Sequence, residues 1–210
     1  MASFVLSIIA IFVSMIGVLI SSITFWILYL HKGTIKITKP RLIALGYERH
    51  ENHRTPKVVI RSLLFSTSNK GIVIDNIRVK VTNHNNSKDF SLWAYGVETL
   101  LVGSGLFISK EGKDSYHHFL PIAFSSDFEF HTGNILLEIY VTITHHKKDK
   151  LLDSITLSLT KEHEDALNKG EMIIFNWESA LNKYETCISN SSKEKLSVLE
   201  LPKINKHFSL

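Results

Sequence analysis

The chain opens with a long, uninterrupted run of apolar positions. From Ala2 to Leu30 there is no Asp, Glu, Lys, Arg or His, and isoleucine, valine, leucine and phenylalanine predominate. A helix of about 20 such residues covers the roughly 30 Å hydrocarbon core of a bilayer. The pattern therefore predicts one transmembrane anchor over residues 1–31.

A cleaved signal peptide is the main alternative interpretation of this run. Such a peptide has a basic n-region, an apolar core of about 7–15 residues and a small-residue cleavage site. Here only Met1 precedes the apolar run, and Trp26 and Tyr29 stand at its end. Because Trp and Tyr are enriched at membrane interfaces, we expect an anchor that stays in place.

Alternation with period two dominates the chain after residue 33. It is clear in the segments 34–38, 58–65, 72–82, 90–101, 106–109, 116–124, 135–144, 151–159 and 172–177. Short alternating strands joined by polar turns are typical of antiparallel sandwiches and barrels. We therefore expect a mainly β fold, with an antiparallel, immunoglobulin-like β-sandwich over residues 34–188. Trp93 fits the buried tryptophan of such domains, although their cysteine pair is absent.

One short helix is predicted to interrupt the strands. Lys161–Lys169 follows Thr160, a good N-cap residue, and precedes Gly170, a residue suited to the left-handed helix stop. After residue 188 the composition turns polar, so residues 189–210 are expected to form a flexible C-terminal tail. Apolar positions within that tail could still dock on a partner.

The excess positive charge lies in a short segment directly after the apolar run. Lys32, Lys36, Lys39 and Arg41 precede the first acid, Glu48, and the whole chain carries a formal net charge of +4. The remaining basic and acidic residues balance, so the domain body is close to neutral and nucleic-acid binding is not indicated. Residues 32–41 instead read as a basic juxtamembrane collar.

The collar predicts an orientation for the anchor. Basic residues near a membrane span tend to stay on the cytoplasmic side. We therefore expect a single-pass protein with its N-terminus outside and its soluble domain in the cytoplasm. A periplasmic or extracellular domain is the alternative.

Two histidine pairs are the only candidates for metal chemistry, and they are weak ones. His117 and His118 are adjacent, as are His145 and His146. Neighbouring side chains on a strand point to opposite faces, so neither pair can chelate one ion with both rings. We therefore expect no cofactor and no metal site.

Aromatic residues concentrate in the middle of the chain, where they could either line a cleft or fill the core. The residues in question are Trp93, Tyr95, Phe107, Tyr116 and Phe119. Because β cores are rich in aromatic side chains, core packing is the preferred interpretation.

These patterns favour a membrane-tethered, non-enzymatic interaction module that recruits or braces a partner protein at the bilayer surface. Two alternatives remain open. One is an extracytoplasmic, ligand-binding sensor domain, and the other is a small histidine-dependent hydrolase or metalloprotein.

Overall fold

The first element of the chain is a long, solvent-exposed apolar helix. The computed structural model describes residues 2–30, 33–50, 53–84, 86–96, 100–102, 105–121, 127–144 and 148–189. Helix α1 spans Ala2–Phe25 and continues into a π-helical turn over Trp26–Leu30. By length and composition this helix could cross a membrane, and its described residues are exposed.

Three hydroxyl side chains within α1 are satisfied locally. The hydroxyls of Ser7, Ser14 and Thr24 each donate a hydrogen bond to the backbone carbonyl four residues earlier, at 2.8–3.0 Å. Such bonds remove the need for an external partner, which makes these residues compatible with an apolar surrounding.

The rest of the described chain is almost entirely β-structure. The strands are β1 (Ile35–Ile37), β2 (Leu42–His50), β3 (His53–Ser66), β4 (Ile72–Asn83), β5 (Asn86–Gly96), β6 (Leu100–Val102), β7 (Leu106–Ile108), β8 (Lys113–Pro121), β9 (Gly133–Ile143), β10 (Lys150–Leu159), β11 (Met172–Glu178) and β12 (Lys183–Ser189). The single helix among them, α2 (Lys161–Lys169), connects β10 to β11.

All these strands belong to one continuous antiparallel sheet. Its main path runs β10-β9-β4-β5-β8-β3-β2-β11-β12, while β1, β6 and β7 add short pairings to β3, β5 and β4. Ile155 of β10 and Phe175 of β11 come from opposite ends of this path, yet both belong to the same buried core. The sheet therefore curls around one core in a barrel-like way. The mainly β, antiparallel prediction is confirmed, whereas the immunoglobulin-like sandwich is not.

Helix α2 has the caps that its sequence predicts. The Thr160 hydroxyl accepts a hydrogen bond from the His163 backbone N–H, and the His163 ring accepts one from the Thr160 N–H. Gly170 adopts the left-handed conformation with φ of 86°. On its inner side Leu167 is fully buried, and the His163 ring packs edge-on against Phe175. The helix thereby covers the end of the sheet where β10 stops and β11 starts.

Two strands were missed by the sequence patterns, and three others, β3, β5 and β8, begin earlier than predicted. Strand β2 has no clean alternation because both of its faces are covered: Ile43 and Leu45 belong to the main core, and Ala44 belongs to a second buried cluster. Strand β12 was absent from the predicted set. Strand β5 begins at Asn86, before the start of the predicted segment 90–101, because His84 supports a tight turn with φ of 53°.

Candidate interaction site

The first and last strands of the sheet, β10 and β12, are edge strands that lie near each other. In the described chain β10 pairs with β9 and β12 pairs with β11, and neither has a ladder partner on its other edge. Eight successive antiparallel pairings connect the two, so β10 and β12 run in the same direction. They therefore do not continue the antiparallel ladder with one another.

A groove of about 740 Å³ separates these two strands, and we call it the edge groove. It is lined by Lys39, residues 154–158 of β10, Phe175 and Trp177 of β11, and residues 182–184 and 186 on and before β12. The β10 side carries small polar residues, with Ser154, Thr156 and Ser158 exposed. The exposed positions of this wall thus carry small polar side chains.

The floor of the edge groove is the surface of the hydrophobic core. Leu157 and Phe175 line the groove and belong to the buried core cluster. Thr186 lies directly opposite Phe175 in the β11–β12 ladder but is exposed, whereas Phe175 is only 1% exposed. The inner face of β12 is therefore uncovered at Thr186, at a depth where the other strands are packed.

Aromatic and charged contacts hold the β11–β12 hairpin beside the chain that enters β2. The Tyr184 hydroxyl donates a hydrogen bond to the Pro40 carbonyl at 2.9 Å, and the Lys39 ammonium lies 5.3 Å from the Trp177 ring centroid. Burial, with the negative charge of Asp153 across the groove, raises the pKa of Tyr184. The hydroxyl stays protonated at physiological pH, so it keeps donating.

This arrangement suits an extended peptide rather than a compact ligand. Strand edges offer unpaired N–H and C=O groups, and a peptide can add to them as a further strand. A strand antiparallel to β12 is automatically antiparallel to β10, because those two strands run the same way. One added strand would satisfy both edges and place alternate side chains over Leu157 and Phe175.

The structure separates the histidines that the sequence singled out. His117 is 3% exposed and points into the core, where it borders a cavity of about 10 Å³ together with Ser62. Burial lowers its pKa to about 4, against the opposing effect of a backbone hydrogen bond at Ile60. His118 is also fully buried but lies on the other face of β8. His145 and His146 lie outside the described residues.

Within the described ranges no three histidine, cysteine, aspartate or glutamate side chains are grouped as metal ligands would be. The nearest comparable cluster is structural. His131 and Thr132 bond to Glu164 of α2, at 3.2 Å and 2.6 Å, and these bonds together with Lys161 lower the pKa of Glu164 to about 2. The cluster ties α2 to the segment before β9.

Of the predicted basic collar, Lys36, Lys39 and Arg41 are exposed, and Lys32 lies outside the described residues. A fifth cation, Lys70, contacts the end of the helical segment. Its ammonium donates a hydrogen bond to the Tyr29 carbonyl at 3.1 Å and lies 6.0 Å from the Tyr29 ring centroid. No sequence signal connects two residues 41 positions apart.

The sequence pattern did not indicate the edge groove, and it predicted the wrong burial for one aromatic residue. The alternation of Tyr184, Thr186 and Ile188 was visible and could have identified β12, but not its place at the end of the sheet. The core-packing prediction holds for Phe119 and is wrong for Phe107, which is 62% exposed.

Comparisons with known proteins give little further information. No family model and no curated protein matches the chain. Among solved structures, the CooA pilin subunit from enterotoxigenic Escherichia coli is similar over 60% of this chain and 99% of its own, with 14% identity and a TM-score of 0.31.

Proposed function

We propose that this protein is a non-enzymatic interaction module, tethered to a membrane by α1, that recruits or braces a partner protein at the bilayer surface. The observation that carries the proposal is the edge groove, with its apolar floor and two strand edges that have no ladder partner within the described chain. The partner contributes an extended segment that adds to the sheet between β10 and β12. The basic collar keeps the soluble domain on the cytoplasmic side.

The groove chemistry defines what the partner segment looks like. It runs antiparallel to β12, and its alternate residues point at Leu157 and Phe175. Those inward positions are apolar and of moderate size, because Thr186 leaves a gap in the inner face where a side chain can sit. The outward positions are polar, like the exposed Ser154 and Thr156 of the neighbouring strand.

A pair of adjacent arginine substitutions tests this function. Thr186→Arg places a long charged side chain in the groove, whereas Cys187→Arg places the same side chain on the outer face of the same strand. The full chain is crosslinked in native membranes, extracted in detergent, and its bound proteins are identified. We expect a partner that is recovered with the wild type and Cys187→Arg and is lost with Thr186→Arg.

Other results would contradict specific parts of the proposal. Equal recovery with both arginine variants would show that partners bind elsewhere, and failure to recover any partner would count against an interaction module. Crosslinked dimers of this chain that disappear only with Thr186→Arg would identify a second copy as the occupant. Release of the protein by alkaline carbonate would refute the membrane tether.

A further inference from the structure

A second surface, at the end of the sheet nearest α1, has an apolar character that the core does not explain. Val73 of β4 and Phe107 of β7 are direct ladder partners, and their side chains are 48% and 62% exposed. Their neighbours Ile74 and Ile108 are buried, as alternation requires. Val73 and Phe107 therefore form an outward-facing apolar pair on strands whose inner face is already satisfied.

This pair lies beside the point where the chain leaves α1. A Cβ placed on Gly71 would be 2.5 Å from Cζ of Phe107, so the ring lies across the backbone of Gly71. The preceding residue, Lys70, donates its hydrogen bond to the Tyr29 carbonyl. The turn before β4 is also bound to the chain that follows α1, because the Thr67 N–H donates a hydrogen bond to the Thr34 carbonyl at 2.9 Å.

The helix sets the depth of this end of the sheet. At 1.5 Å per residue, the apolar segment from Ser3 to Tyr29 is about 40 Å long, longer than a hydrocarbon core of roughly 30 Å. Its last turn carries Trp26 and Tyr29, residues that favour the headgroup region. Lys70, bonded to Tyr29, must lie at that level, and the Phe107 ring lies against Gly71, the next residue along the chain.

We propose that Val73, Phe107 and Lys70 form a membrane-contacting edge, which lays this end of the sheet against the headgroup region of the bilayer that holds α1. The inference rests on the membrane tether of the proposed function. An exposed aromatic and an aliphatic side chain beside a lysine suit the boundary between headgroups and acyl chains.

The chemistry of this edge favours a bilayer over a protein partner. The Asp75 carboxylate, on the same face two residues along β4, accepts a hydrogen bond from the Thr144 hydroxyl at 2.6 Å. The apolar pair is therefore followed by a polar contact on the side away from α1. An apolar rim at the membrane side with polar groups above it matches the gradient of a bilayer surface.

The test uses the full chain, with Cys187→Ser, reconstituted in bilayer discs. Single cysteines replace Phe107, Asn69, Ile16 and Asn168 in separate variants, and each carries a nitrobenzoxadiazole fluorophore. Asn69 leaves the apolar pair intact, and Asn168 is exposed on α2 at the far end of the domain. Quenching is measured with lipids brominated near the headgroup or deep in the acyl chain.

We expect shallow bromines to quench the labels at 107 and 69 at least twofold more than the label at 168, and deep bromines to quench the label at 16. If 107 and 69 both behave like 168 while 16 is quenched, the tether stands and the membrane-contacting edge is refuted. If 16 is not quenched, the tether itself fails. A label at 107 that is shielded from water but not quenched by either lipid would identify a protein occupant and overturn the proposal.

Discussion

The Asn83 side chain accepts a hydrogen bond from the His131 backbone N–H at 2.8 Å, joining the end of β4 to the segment before β9. Its amide nitrogen also donates to the carbonyls of His131 and Asn134, at 3.3 and 3.2 Å. Asn83 is 1% exposed, so these three bonds are made away from water. A single buried amide thus satisfies two backbone groups of the segment before β9 and one at the start of that strand.

Replacing Asn83 by alanine should destabilise the domain strongly. The substitution leaves three buried backbone groups without their partner, and each such loss is costly. We expect the free energy of unfolding to fall by about 3 kcal/mol. Urea denaturation followed by circular dichroism measures it. Asn86→Ala is the matched control, since the exposed Asn86 is the ladder partner of Asn83 and should change stability by less than about 0.5 kcal/mol.

The buried His117 should make stability depend on pH. Its pKa is about 4 in the folded protein and 6.5 as the ordinary value, so the unfolded chain binds more protons between these values. The free energy of unfolding is therefore highest above pH 6.5, where His117 is neutral in both states. It falls as the pH drops from 6.5 towards 4, by at most about 3 kcal/mol from this group. In His117→Leu the slope of unfolding free energy over this range should be reduced. Phe119→Leu, which alters the adjacent core without a titrating group, should lower stability while keeping the slope; an unchanged slope in His117→Leu would refute this assignment.

The N-cap of α2 should contribute measurably to the stability of the domain. Thr160→Ala removes the hydroxyl that accepts the His163 N–H bond and should cost about 1 kcal/mol. Thr160→Ser keeps a hydroxyl at the same place and should retain most of the stability. Thermal unfolding of the three proteins gives the comparison. Equal loss in the alanine and serine variants would mean that the methyl group, not the cap, matters.

The orientation of the anchor can be read with the native thiol. Cys187 is the only cysteine and is exposed. With the N-terminus outside and the domain in the cytoplasm, a membrane-impermeant maleimide should label it only after permeabilisation. Cys187→Ser gives the background signal. Labelling in intact cells would favour the alternative orientation, with a periplasmic or extracellular domain.

Much of the fold follows from local pattern, and the candidate site does not. Alternation identified β4, β9 and β10 to within about two residues, and Thr160 and Gly170 predicted the caps of α2. Strand β2 was missed because its first half is apolar on both faces, with Ile43 and Leu45 in the main core and Ala44 in a second buried cluster. The prediction for Phe107 failed because residue type alone does not reveal which face of a strand is covered.

The sequence by itself determined the apolar helix, the alternating strands and the short capped helix, because each depends on neighbours within a few residues. Only the tertiary structure decided that β10 and β12 are the ends of the sheet and run the same way, since that depends on eight strand pairings between distant segments. It likewise decided that Lys70 reaches Tyr29. The edge groove and the membrane-contacting edge both arise from such long-range hydrogen bonding, which no local pattern encodes.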